Sequence, residues 1–305
     1  MKEYWSGDFR SAQRDFATVL RARPDDAEVR KALQDLATIS RPVIAGTSEL
    51  VSDDQPLRRS MAAMSYTRFS DPLTKWTATA GGGRVGGRDL PFAGLGVDTK
   101  VGPLHGIASL RFFRFPDGRT EPLGGFEVAY RRLSVAIDRH ELLYTASSLR
   151  AHPSETTASL AWKTDDSAAT LRAIRYFDRN HGQAADAWHL AHVTRFFSAG
   201  AAASYRDTDE SRFNGALYDP YWTPRNQLEA RAIIASTLHA RRMTINLHAD
   251  GGWGRDELRT FHPWRAFAEF IMPLRGTFAA TAAIERQSTA FYRANAVRLG
   301  FSGRL

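Results

Sequence analysis

From about residue 41 onward the chain alternates. Met243, Ile245, Leu247, Ala249 and Trp253 are apolar at odd positions, and Thr244, Asn246, His248 and Asp250 fill even ones. A period of two sends successive side chains to opposite faces of a strand. One face of this strand suits an apolar medium and the other suits water. The same rule sets Leu104, Ala108, Leu110 and Phe112 against His105, Ser109 and Arg111. Phe126, Val128 and Tyr130 alternate with Glu127 and Arg131. Parity switches across Arg131-Arg132, as a tight hairpin requires, and Leu133, Val135 and Ile137 then alternate with Ser134 and Asp138. Similar rows begin at Ala158, Leu228, Trp264, Phe278 and Val297.

Turn signals separate these rows: Asp53-Asp54, Phe115-Pro116-Asp117-Gly118 and Asp165-Asp166-Ser167. The pattern predicts roughly 16 segments, many near the nine to eleven residues that cross a bilayer. A closed antiparallel barrel or a sandwich can absorb that many strands. Tyr66, Trp76, Trp162, Phe196, Tyr205, Trp253 and Trp264 fall near segment ends, where a membrane barrel carries its aromatic girdles. They tip the balance toward the barrel, with a soluble β-rich binding module as the alternative. In a barrel of this size the polar face lines a lumen wide enough for water. Candidate lumen residues are the polar positions that oppose apolar rows: Arg111, Arg131, Arg172, Glu229, Arg231 and His239. His248, Asp250, Arg265, Glu269 and Arg298 complete the set. The arginine among them suggests tolerance for a neutral or anionic cargo over a cationic one.

Residues 1–40 read differently. Phe9, Ala12, Phe16 and Val19-Leu20 recur at helical spacing from about Gly7 to Arg23. Pro24-Asp25-Asp26 ends that helix, and Asp26 is placed to cap a second one carrying Val29, Leu33 and Leu36. The layout is therefore a helical segment over 1–40 and a β region over 41–305.

Composition narrows the chemistry. The net charge of +8 is carried almost wholly by arginine, since lysine occurs only at Lys2, Lys31, Lys75, Lys100 and Lys163. The cations are spread over nearly every segment, unlike the single basic patch of a nucleic-acid binder. There is no cysteine, so no disulfide or thiolate metal site. No apolar run is long enough for a transmembrane helix. Met1 to Trp5 has no apolar h-region, and an outer-membrane protein needs a signal peptide. Either the chain is a truncated or mis-started reading of a longer protein, or the membrane reading is wrong.

Catalytic arrangements fail on geometry. His189 and His192 fall on opposite faces of a strand, so a metal site with His181 is not expected. Asp138 and Glu141 are separated in the same way. Gly81 to Arg88 is glycine-rich but lacks a phosphate-loop Lys-Ser/Thr, and reads as a flexible turn. No enzyme activity, cofactor or metal is expected.

Two resemblances add to this reading. Gly7, Phe9, Ala12, Phe16 and Pro24 resemble the second half of a tetratricopeptide repeat. Tyr218-Asp219-Pro220-Tyr221-Trp222-Thr223-Pro224-Arg225 resembles a turn that precedes a long strand in exopolysaccharide export barrels. The segment Asp71-Pro72 through Trp76 is similar to an earlier turn of that family. Repeats followed by such a barrel are the plan of the family of cellulose synthase operon protein C and the poly-N-acetylglucosamine porin. The C-terminus departs from the usual barrel signature, with Gly303 at an apolar position and Leu305 in place of a terminal aromatic. The resemblance implies a bacterial outer-membrane conduit for a cellulose-like polysaccharide, with the helical segment in the periplasm. It implies outer-membrane lipid, the polymer and periplasmic or inner-membrane synthase components as partners. A barrel that anchors a complex or assists surface-protein export is the other reading.

Overall fold

The computed structural model describes residues 9–54, 58–143, 146–152, 154–216, 218–289 and 292–305. Two helices come first, α1 (Phe9–Ala22) and α2 (Ala27–Ile39). Ala12, Phe16, Ala32 and Leu36 close the small core between them, with Phe9 and Val29 at its margin. Asp26 caps α2 by accepting from the Val29 N–H at 3.1 Å, and Pro24 lies in the turn. Gly7 lies outside the described residues.

The β region opens with β1 (Val43–Asp53), β2 (Arg59–Asp71), β3 (Thr74–Val85), the two-residue β4 (Arg88–Asp89), β5 (Phe92–Val101) and β6 (Leu104–Arg114). It continues through β7 (Thr120–Tyr130), β8 (Leu133–Glu141), a short helix α3 (Ala146–Ala151), β9 (Ser154–Lys163), β10 (Ser167–Tyr176) and β11 (His181–Thr194). It ends with β12 (Phe197–Thr208), β13 (Gln227–Ala240), β14 (Met243–Arg255), the two-residue β15 (Thr260–Phe261), β16 (Trp264–Pro273), β17 (Ala279–Ser288) and β18 (Arg293–Arg304). Leaving aside β4 and β15, 16 antiparallel strands close into one barrel. Closure is made by β1 against β18, from Val43↔Arg304 to Asp53↔Ala294. A closed barrel leaves no unpaired strand edge, which a bilayer core demands.

The distribution of side chains is inverted relative to a water-soluble domain. Large apolar residues lie on the exposed outer wall: Leu50, Leu95, Phe126, Val135, Ile137, Leu171 and Leu299 among many. Two packed sheets would have buried them instead. The soluble sandwich reading is therefore overturned: its outer faces would be polar, and this outer wall is apolar. Aromatics mark both margins of the band. Tyr66, Trp76, Trp162 and Phe196 are exposed near the end that carries the tight turns, and Trp253 and Trp264 near the other.

The two ends differ. The turns after β2, β5, β7, β11 and β13 are very short, and the chain enters β1 and leaves β18 at that end. The connections after β8 and β12 at the opposite end are long. Short turns at one end and longer loops at the other are the asymmetry of outer-membrane-type barrels. The helical pair sits at the short-turn rim. Arg10 Nε donates to Asp71 at 2.9 Å and its guanidinium also meets Thr74. Arg304 donates to the carbonyl of Ile39.

One sequence expectation is corrected. Gly81 to Val85 is not a turn but the end of β3, and only Gly86 and Gly87 turn the chain. Gly81 and Gly83 take the inward positions opposite Ala63 and Met61. A Cβ at Gly81 would run into the Phe92 ring and the Ala62 carbonyl. Glycine here admits close packing inside the barrel, not flexibility.

Candidate functional site: the lumen wall and its loop-end closure

The period of two delivers every second side chain of each strand into the lumen, and register then decides who meets whom. On β13, Gln227, Glu229 and Arg231 face inward. On β14 the inward row includes Asn246, His248 and Asp250, and on β16 it includes Arg265 and Glu269. Gln227 Nε2 donates to Glu229 at 2.6 Å. Arg231 donates to the other Glu229 oxygen through Nε at 2.8 Å and to Asp250 through Nη1 at 2.9 Å. Arg265 Nε donates to Asp250 at 3.0 Å, and His248 Nε2 lies 2.9 Å from the same carboxylate. Glu229 and Asp250 are only 5% and 8% exposed. Two carboxylates so enclosed are tolerable because two guanidiniums hold them.

A second lattice crosses the closure seam. Arg298 donates to Glu49 at 2.8 Å and to Glu285 at 2.7 Å, and Arg59 donates to the other Glu49 oxygen at 3.0 Å. Elsewhere, Arg172 pairs with Asp186 at 2.7 Å and Arg206 with Glu155 at 3.4 Å. Arg111 pairs with Glu141 and lies over the Phe92 and Phe113 rings at 5.4 and 5.9 Å. Each of these lumen arginines has a carboxylate beside it. The wall is rich in hydrogen-bonding groups but close to charge balance.

At the long-loop end two apolar clusters fill part of the interior, beside buried polar groups such as Asn180, Thr208 and Thr223. Val85, Phe113 and Leu123 project from the wall and pack with Leu90, Phe115 and Leu149, the last from α3. A second cluster joins Ile174, Tyr176 and Ala184 to Tyr221, from the loop between β12 and β13, and to Leu142. Leu143 packs on the first cluster, so consecutive residues of one loop enter both. Tyr221 is fully buried, stacks on Tyr176 at 4.5 Å and donates its hydroxyl to Asp178 at 2.7 Å. Burial, followed by the hydrogen bond to Asp178, pushes its phenol well above the ordinary tyrosine range. Burial does the same for Tyr218, with Glu257 adding to it.

No family model matches the chain. No curated protein matches it in sequence. Solved structures do match in shape. One is described as a bacterial polysaccharide outer membrane secretin, with a TM-score of 0.66 and 11% identity over 87% of this chain and 99% of that one. Another is CdiB from Acinetobacter baumannii, with a TM-score of 0.51 and 7% identity over 86% of this chain and 60% of that one. The chain has the fold of an outer-membrane β-barrel.

Most candidate lumen residues lie on this inner wall. Glu229, Arg231, His248, Asp250 and Arg265 form one lattice, and Arg298 anchors another. Glu269 accepts from Asn246 at 2.8 Å, and Arg111 and Arg172 sit in separate ion pairs. His239 lies toward the short-turn end, 3.2 Å from the Thr244 hydroxyl. Arg131 departs from its expected place. It occupies the turn after β7 with φ of 55°, lies over the Tyr130 ring and borders a recess at the short-turn mouth. Its parity read as strand because β7 stops one residue earlier.

The motif from Tyr218 to Arg225 is no simple hairpin turn. It carries a cis Asp219–Pro220 bond and folds into the barrel end. Trp222 lies under the Arg206 guanidinium, and the Pro224 carbonyl accepts from Thr208 at 2.9 Å. Sequence reasoning missed Trp188. It shares inward parity with Asp186 and borders a recess of about 410 Å3 with Arg231, His248 and Arg265. Its even position on β11 was the available signal. Among the described residues, no group of His, Asp or Glu is arranged to hold a metal.

Proposed function

We propose that the chain is an outer-membrane channel that lets a secreted polysaccharide pass without catalysis. One observation carries this reading: an apolar outer wall encloses an inner wall of charge-paired hydrogen-bonding groups. Such a wall replaces sugar hydration along a path and repels neither sign of charge strongly. The shape shared with a polysaccharide outer membrane secretin supports the same reading. A neutral, cellulose-like polymer fits the balanced lumen best. The short-turn rim then faces the periplasm, with α1 and α2 beside the mouth as the docking part for synthase components. Outer-membrane lipid is the partner of the outer wall.

The test has two arms. The purified barrel should conduct in planar bilayers, and deletion should abolish secreted polymer while synthesis continues. A folded barrel that does not conduct, with unchanged secretion on deletion, would sink the proposal. One observation favours a second reading, a barrel that anchors a complex or assists surface-protein export: the long-loop end is packed with apolar side chains. Capture of a surface protein, with polymer secretion intact, would establish that reading instead.

A further inference from the structure

The excess cations have to sit somewhere, since the lumen arginines are matched by carboxylates. Six of them continue the outward-facing apolar rows at the long-loop end. Arg114 follows Phe112, Arg139 follows Ile137, Arg255 follows Trp253 and Arg286 follows Ile284, each two residues on. Arg175 and Arg84 extend the outward rows of β10 and β3 in the same way. A step of two keeps the side chain on the same face. All six are exposed. At the short-turn end the outer rows run to their ends mostly in apolar residues, such as Val101, Leu104, Tyr130, Leu133 and Trp162. Arg68, two residues after Tyr66 on β2, is an outward exception at the short-turn end, where further arginines lie in the turns, so it is the outward-row arginines that are concentrated at the long-loop margin of the apolar band.

Two of them form a built feature. Arg139 pairs in register with Thr156, and Thr156 with Arg175. The three side chains stand on one face of three adjacent strands, guanidinium, hydroxyl, guanidinium. Strands lie about 4.8 Å apart, so the guanidinium roots are about 10 Å apart with a donor between them. His181 extends the row on β11. Arg139 is steadied by Ser154 at 3.2 Å and Glu121 at 3.3 Å, whereas Arg175, Arg114 and Arg255 have no side-chain partner among the described residues.

We propose that this arginine belt, centred on the Arg139–Thr156–Arg175 row, binds the phosphate groups of the anionic glycolipid leaflet at the long-loop end. The inference rests on the membrane orientation adopted above, but not on conduction. Position argues for lipid. The belt lies just beyond the apolar band and beside Trp253 and Trp264, the depth of a headgroup. Chemistry argues for phosphate. Guanidinium pairs match phosphate oxygens bidentately, and a row of cations at a headgroup layer attracts anionic lipid. Distribution around the barrel, on β3, β6, β8, β10, β14 and β17, suits a surrounding lipid annulus better than one protein partner.

The experiment measures the unfolding temperature of the detergent-solubilised full chain with bisphosphorylated lipid A and with its dephosphorylated form. The expected result is a rise with the phosphorylated lipid alone, diminished by salt. This comparison needs no mutant. In a second arm, Arg114, Arg139, Arg175 and Arg255 are changed to Gln, and in a control Arg131, Arg132, Arg241 and Arg242 are. The first variant should lose the rise and the control should keep it. Equal stabilisation by both lipids, or an equal loss in both variants, would overturn the inference. A barrel that fails to conduct but shows the phosphate-dependent rise would sink the channel and leave the lipid site standing.

Discussion

Arg298 in the last strand donates to Glu49 in the first at 2.8 Å, across 249 residues of sequence. The bond spans the seam where the barrel closes, and Glu285 and Arg59 complete the lattice around it. Charge balance at this point has a functional consequence. Glu49→Gln with Glu285→Gln would leave Arg298 and Arg59 without their carboxylates. The wild-type barrel should show weak ion selectivity, and the double variant a clear anion preference. Reversal potential in a salt gradient reads both. Strong cation preference in the wild type would contradict the charge-paired lumen.

Arg231 holds two enclosed carboxylates. Arg231→Met should destabilise the barrel by about 3 to 5 kcal/mol, because Glu229 and Asp250 lose a partner they cannot replace with bulk water. Adding Glu229→Gln should recover part of that loss, since the carboxylate left without a guanidinium is then removed, whereas Asp250 keeps Arg265. Denaturant-induced unfolding in detergent measures the cycle. Additive losses would mean that the lattice is fully hydrated.

The outer wall is tested by one substitution. Ile137 is 57% exposed at the middle of β8, where a bilayer would cover it. Ile137→Arg should cost about 2 to 4 kcal/mol in lipid, the cost of arginine near the midplane of a barrel's lipid face. Inward-facing Ala136→Ser should be nearly neutral. Folding yields into vesicles of known thickness compare the two.

Leu142 and Leu143 tie the two apolar clusters at the loop end together. Changing both to Ala removes contacts of the sort that contribute about 2 to 5 kcal/mol per leucine. Conductance should rise while strand content by circular dichroism stays the same. Unchanged conductance would show that the clusters do not close the path.

Tyr221 gives this closure a pH limit. Its folded pKa is raised, so its stabilisation is full below the unfolded value near 10 and is lost as pH rises through the folded value. Hydrogen exchange in the loop between β12 and β13 should therefore be constant from about pH 6 to 9, after correction for intrinsic rates, and should loosen only under strong alkali. Tyr221→Phe keeps the ring packing and should reduce that alkaline loosening, leaving the share that belongs to Tyr218.

Local alternation made most of the barrel legible. Because a strand's faces follow from odd and even positions alone, Leu247 against His248, or Leu110 against Arg111, needed no partner to be assigned. The helical pair was legible for the same reason, from a different period. What alternation cannot supply is the neighbour on the next strand. That Arg231 meets Asp250, or that Arg139 and Arg175 flank Thr156, depends on register, which hydrogen bonding between strands fixes. Closure of β1 on β18 is longer in range still, so the Glu49–Arg298 bond had no local trace. The loop end was the least legible. Gly81 and Gly83 have the local look of a turn although Phe92 packs beside Gly81 in the barrel, and Tyr221 that of a turn residue although Leu142 and Tyr176 bury it. Sequence periodicity by itself determined which side chains face the apolar medium. Only the tertiary structure decided which inward charges neutralise one another and what fills the barrel's end, because those contacts join residues that the chain brings together only when the sheet closes.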